Sequence, residues 1–217
     1  MDILMLAVFV VSSVIHLYAS FKSNKKLRAQ SKVFLLISLC GWYYFASPSP
    51  ELIVIAALLF SWLGDLLLIP KGVKWFTAGG IAFMASHVCF VLAYSGNTVF
   101  AQLPVAAIII AGAVYFAASV LVFKGLKGSL PKMLFVPMFV YLLINGTMNC
   151  FALFQLITLK NAASLITYIG ATLFFASDSL LFYVRFKKNS VVKNHFPVML
   201  TYLVGEFLIT LGLMLIK

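Results

Sequence analysis

The chain has 217 residues, 64% of them hydrophobic and 10% charged, with a formal net charge of +11 and a mean hydropathy of +1.10. So few polar residues could not cover the apolar surface of a soluble domain, so the composition points to an all-α, polytopic membrane protein, with residues 1–217 as one transmembrane domain. The positive charge does not signal nucleic-acid recognition, because the basic residues lie in short stretches between apolar segments rather than on one surface.

Runs of apolar residues predict a bundle of eight transmembrane helices, over 3–20, 32–46, 52–69, 75–94, 103–123, 133–156, 162–184 and 196–216. Residues 1–20 lack the basic leading region of a signal peptide and read as the first span. Ser47-Pro48-Ser49-Pro50 stops the second span and Pro70 closes the third. Pro104, Pro131 and Pro197 fall near helix starts, where a missing N–H costs little, whereas Pro137 lies deeper and predicts a kink in the sixth span. Cys40, Cys89 and Cys150 sit in apolar spans without metal-ligand spacing and read as packing residues.

The basic residues predict orientation. Lys22, Lys25, Lys26, Arg28 and Lys32 lie at the first connection, and Lys71 and Lys74 at the third. Lys124, Lys127 and Lys132 lie at the fifth, and Arg185, Lys187, Lys188 and Lys193 at the seventh. Only Lys160 and Lys217 fall on the other side, so the odd-numbered connections are expected in the cytoplasm and both termini outside it. The expected location is a bacterial inner (cytoplasmic) membrane, with anionic lipids at the basic loops.

Direction then sets depth. Asp65 and Asp178 fall in the cytoplasmic halves of spans three and seven, and His87 and Glu206 near mid-membrane in spans four and eight. A carboxylate at such depth costs a few kcal/mol unless it is paired, protonated or facing water, so these four groups are functional candidates. Helical spacing adds polar stripes: Ser61 with Asp65, Tyr141 with Asn145 and Asn149, Tyr202 with Glu206 and Thr210, and His87 with Tyr94. Ser12, Ser20, Asn149 and Thr210 read as bonds between helices, and His16 and His195 as interfacial groups.

Three motifs carry a family resemblance: Ser61-Trp62-Leu63-Gly64-Asp65, Phe83-Met84-Ala85-Ser86-His87, and the run from Gly170 to Ser179 that contains Ser177-Asp178. Tyr141 with Met148 and Ala152, and Tyr202 with Leu208-Ile209, add weaker matches. In their order and spacing they resemble the YhhN-like membrane proteins, the lysoplasmalogenase family. Lys32 is similar to the basic residue that opens the family's second span, although Val33 stands where a proline usually follows, and Glu206 stands where relatives often carry Gln or another polar residue.

The resemblance implies an eight-helix build and hydrolysis of the vinyl ether bond of a lysoplasmalogen. The products are a fatty aldehyde and glycerophosphoethanolamine or glycerophosphocholine. Such a bond cleaves when an acid protonates the alkenyl carbon, a carboxylate stabilises the oxocarbenium ion, and water adds. Asp65 and Asp178 are the candidate carboxylates and His87 the candidate for orienting water. Ser61, Ser86, Tyr94, Tyr141, Asn145, Ser177, Tyr202, Glu206 and Lys32 would bind or support the lysophospholipid. The chemistry needs neither metal nor cofactor. Two alternatives stay open. One is a proton-coupled transporter using the same Asp and His groups. The other is a metal-dependent hydrolase, for which ligands are scarce because the chain has no His-Glu-x-x-His run.

Overall fold

A computed structural model describes residues 1–187 and 194–216; Lys188, Lys193 and Lys217 lie outside the described residues. The described chain is all-helical. It contains α1 (Asp2–Phe21), α2 (Lys25–Ala46), α3 (Leu52–Leu67), α4 (Val73–Gly96), α5 (Val105–Leu126), α6 (Phe135–Leu159), α7 (Ala162–Phe186) and α8 (Phe196–Leu215), with single 3₁₀ turns at Phe100–Gln102 and Lys132–Leu134. One helix answers to each predicted span. Six are long and apolar enough to cross a membrane. The other two are α2, whose first two turns carry Lys25, Lys26, Arg28 and Lys32, and α3, which at 16 residues extends about 24 Å.

Local chemistry accounts for the ends. Asn24 caps α2 by accepting from Leu27 N at 3.1 Å, and Asn161 caps α7 by accepting from Ser164 N at 2.8 Å. Asn24 starts α2 seven residues earlier than the apolar pattern suggested, so Lys32 stands on a formed helix rather than at its mouth. Pro137, expected to kink the sixth span, instead occupies the third position of α6. There its missing N–H would have had no helical partner.

The bundle is inside-out in polarity. Ser61, Asp65, His87, Asn145, Asn149, Gln155, Asp178 and Glu206 are buried, while Ile108, Ile109, Ile110, Val114 and Phe116 of α5 are exposed. In water this would be untenable; in a bilayer it puts hydrocarbon outside and polar side chains where they find one another. With its six membrane-length apolar helices, the chain is an integral membrane protein.

The principal pairings are α7 on α8, α1 on α2 and α3 on α4. The α7–α8 seam depends on Gly170 and Gly205. A Cβ at Gly170 would lie 2.7 Å from Ile209 N and 2.8 Å from Gly205 O, both backbone atoms that cannot swing aside. Gly170→Ala is therefore expected to cost about 1–3 kcal/mol of stability, read as a lower melting temperature in detergent. Gly80→Ala, which would meet nothing within 4 Å, should leave it unchanged. Equal melting of both variants would show that the seam is not this close.

Several bonds expected between helices stay within one. Ser12 donates to Phe9 O, Thr210 to Glu206 O, and Asn149 to Asn145 O at 3.0 Å. Short polar side chains satisfy themselves on the preceding turn of their own helix, which needs no partner at the right height.

Candidate functional site

Asp65 lies two residues before the end of α3 and is 2% exposed. Its Oδ1 is 2.9 Å from Lys32 Nζ, and its Oδ2 accepts from Tyr202 Oη at 3.0 Å. The charge is thus balanced by α2 and steadied by α8. Gly64 makes room for this arrangement, because a Cβ there would come within 2.6 Å of the Phe83 ring. Phe83 instead packs against α3 and meets Phe174 and Tyr202 edge-on, with centroids 6.2 Å and 6.0 Å apart.

Asp178, two turns before the end of α7, is 4% exposed. Its Oδ2 accepts from Tyr141 Oη at 2.5 Å and from Asn145 Nδ2 at 2.7 Å. His87 Nε2 stands 3.6 Å from the same oxygen, too far for a good hydrogen bond. The imidazole meets Tyr141 edge-on and Phe174 at a tilt, with centroids 5.4 Å and 4.9 Å away, and its Nδ1 has no hydrogen-bond partner. Asp65, Asp178, His87, Lys32, Tyr141, Asn145 and Tyr202 are therefore brought together from α2, α3, α4, α6, α7 and α8.

Two hollows meet here. One is a cationic mouth lined by Arg28, Lys32, Asp65, Asp178, Arg185 and His195. The other is an apolar slot between α4, α6 and α7, lined by Phe76, Met84, Leu134, Met138 and Phe182, with Tyr141 and Asp178 in its wall. Leu68, Phe76, Phe83, Asp178 and Leu181 belong to both, so the slot and the mouth are neighbours that share a wall at Asp178.

The remaining candidates divide. Ser61 and Ser86 hydrogen-bond each other at 2.8 Å. Glu206 is buried; neither carboxylate oxygen meets a partner of full hydrogen-bond geometry, although the Ser61 hydroxyl interacts with it. Tyr94 stacks on Phe90, but its hydroxyl is buried without a partner and does not reach either aspartate. Ser177 lines the mouth but donates to Val198 O at 2.9 Å, joining α7 to α8.

The two histidines read as interfacial both lie near helix ends. His16 is 1% exposed, with Nδ1 2.9 Å from Ser31 Oγ. His195 is half-buried at the start of α8 and lines the mouth. In the sequence Arg28 and Arg185 read only as orientation signals, although Arg28 stands four residues before Lys32, the spacing of one helical face. Among the described residues, no three of His, Cys, Asp and Glu are grouped as a metal site would require.

Against known proteins, a family model described as the YhhN family matches residues 27–213. The chain belongs to the YhhN family. The match begins just before Arg28 and ends beyond Glu206, so every residue of the mouth and of the carboxylate site lies inside the YhhN region. No curated protein and no solved structure matches the chain.

Proposed function

We propose that this YhhN protein is a membrane hydrolase that cleaves the vinyl ether bond of lysoplasmalogens, releasing a fatty aldehyde and glycerophosphoethanolamine or glycerophosphocholine. The observation that carries this reading is a pair of buried aspartates where an apolar slot adjoins a cationic mouth. Such a junction would hold a bond that links a hydrocarbon chain to a polar headgroup. Membership of the family supports the hydrolase class.

Asp178 has no lysine or arginine counterion among the described residues, and its Oδ1 takes no part in the bonds that hold Oδ2. It is the general acid and delivers a proton to the alkenyl carbon. The oxocarbenium ion that forms faces Asp65, whose carboxylate Lys32 and Tyr202 hold in place, and the rings of Phe83 and Phe174. His87 orients the water that adds to this cation, and the hemiacetal then collapses to aldehyde and alcohol. Purified protein should release aldehyde from a lysoplasmalogen and none from the saturated ether lipid of the same length. A folded sample that releases none from the alkenyl lipid would sink the reading.

A second reading, a proton-coupled transporter, draws on the buried polar groups outside the carboxylate pair. Tyr94, Asn149, Gln155 and Glu206 all have side-chain atoms without hydrogen-bond partners. Proton flux into proteoliposomes, driven by a lipid or solute gradient and lost in Glu206→Gln, would favour it over hydrolysis.

In either reading all eight helices cross a cytoplasmic membrane, with the basic connections inside and both termini outside. A reporter active only outside the cytoplasm should be active when fused after Lys217; an inactive fusion would reverse the orientation.

A further inference from the structure

The mouth holds more positive charge than the aspartates need. Asp65 engages Lys32. Arg28 and Arg185 have no carboxylate within 4 Å among the described residues, and Arg28 Nε is buried without a partner. Arg185, in the last turn of α7, lies over the Phe76 ring at 5.7 Å, which steadies the guanidinium at the rim. His195 lines the same mouth. Burial, and then the positive charges of Arg28, Lys32 and Arg185, hold its imidazole down to about 4. The positive charges of Arg28, Lys32 and Arg185 at this mouth attract an anion, and guanidinium groups match phosphate oxygens in geometry.

The apolar slot begins where this charge ends, at Phe76 and Asp178. Arg185 and Asp178 are seven residues apart on α7, roughly 10 Å at the rise of an α-helix. From a lipid phosphate to the first chain carbons is about seven bonds, roughly 8 Å when extended at about 1.2 Å per bond. The span from headgroup to first chain carbons therefore matches the spacing of Arg185 and Asp178 along α7.

We propose that Arg28, Arg185 and His195 form a binding site for the phosphate of a single-chain phospholipid whose hydrocarbon tail lies in the slot between α4, α6 and α7. The site rests on the hydrolase reading only for what happens at Asp178; binding does not require turnover.

The test uses two saturated ether probes that have no vinyl bond: 1-O-hexadecylglycerophosphocholine, and 1-O-hexadecylglycerol, which has the same chain without the phosphate. Each displaces a fluorescent ether lysophospholipid from the whole protein in maltoside micelles. The phosphate probe should bind at least about 10-fold tighter than the glycerol probe. Arg28→Gln and Arg185→Gln should each erase most of that difference and leave the glycerol probe unaffected. Arg185 is exposed, so its variant keeps the test decisive if Arg28→Gln fails to fold. Gly80→Leu, which fills open space in the slot wall, should weaken both probes.

Equal binding of the two probes by the parent protein overturns the proposal, as does an undiminished preference in Arg185→Gln. Displacement of the phosphate probe by 10 mM inorganic phosphate, with Gly80→Leu unaffected, overturns it in favour of a free-phosphate site. The two readings fail separately. A protein that binds by these rules yet releases no aldehyde from lysoplasmalogen loses the hydrolase assignment alone. One that releases aldehyde but treats both probes alike loses the headgroup site alone.

Discussion

Asp178→Asn is expected to release aldehyde from lysoplasmalogen on the order of 10²-fold or more slowly than the parent protein. The amide keeps the shape of the side chain, and its oxygen can still accept from Tyr141 and Asn145, so what is lost is the proton to be delivered. Folding should survive, because a neutral amide is easier to bury than a carboxylate. Asp65→Asn should slow turnover to a similar degree for a different reason, since it removes the negative charge facing the oxocarbenium ion. His87→Gln should cost less, because bulk water can partly replace an oriented one. Ser12→Ala serves as a control: Ser12 bonds only to its own helix and lies apart from both hollows of the site. Single-turnover aldehyde release from monodisperse samples provides the measurement. Full activity in Asp178→Asn would remove that residue from the chemistry.

Lys32→Met should have the largest effect on stability. The Lys32 and Asp65 side chains are only 14% and 3% exposed. Removing one member of a buried ion pair leaves the other as an uncompensated charge, which costs about 3–5 kcal/mol. The melting temperature in detergent should fall sharply. Lys32→Met combined with Asp65→Asn should recover most of the loss while staying inactive, because no charge is left stranded. Additive losses in the double variant would show that the two groups are not a pair.

Much of the architecture was legible in the chain because a bilayer imposes simple arithmetic on it. A helix that meets lipid must be apolar over a set length, so the eight apolar runs mark the eight helices to within a few residues at nearly every end. The exception is the start of α2, where three basic residues, Lys25, Lys26 and Arg28, hid a helix that Asn24 caps and that reaches beyond the apolar run. The membrane also made the aspartates legible: Asp65 and Asp178 stood out because a charge in an apolar run needs a reason. The family followed from short motifs in a set order, and the match over residues 27–213 covers them all.

What the sequence by itself determined, then, is one-dimensional: where helices run, which residues are out of place in them, and which family they signal. Only the tertiary structure decided which of those residues meet. Lys32 and Asp65 are 33 positions apart and Tyr202 is 137 from Asp65, and no periodicity along one helix encodes the rotation and height at which another packs against it. Arg28, Arg185 and His195 read as topology signals or interfacial groups because charge at a loop is ordinary; only the folded bundle brings them into one mouth with the two aspartates. Ser12, Asn149 and Thr210 went the other way. Their helical spacing suggested partners across helices, but the preceding turn of their own helix was nearer. Helix packing is set by shape, as at Gly64 under Phe83 and Gly170 against Gly205, and shape belongs to pairs of surfaces rather than to a stretch of chain.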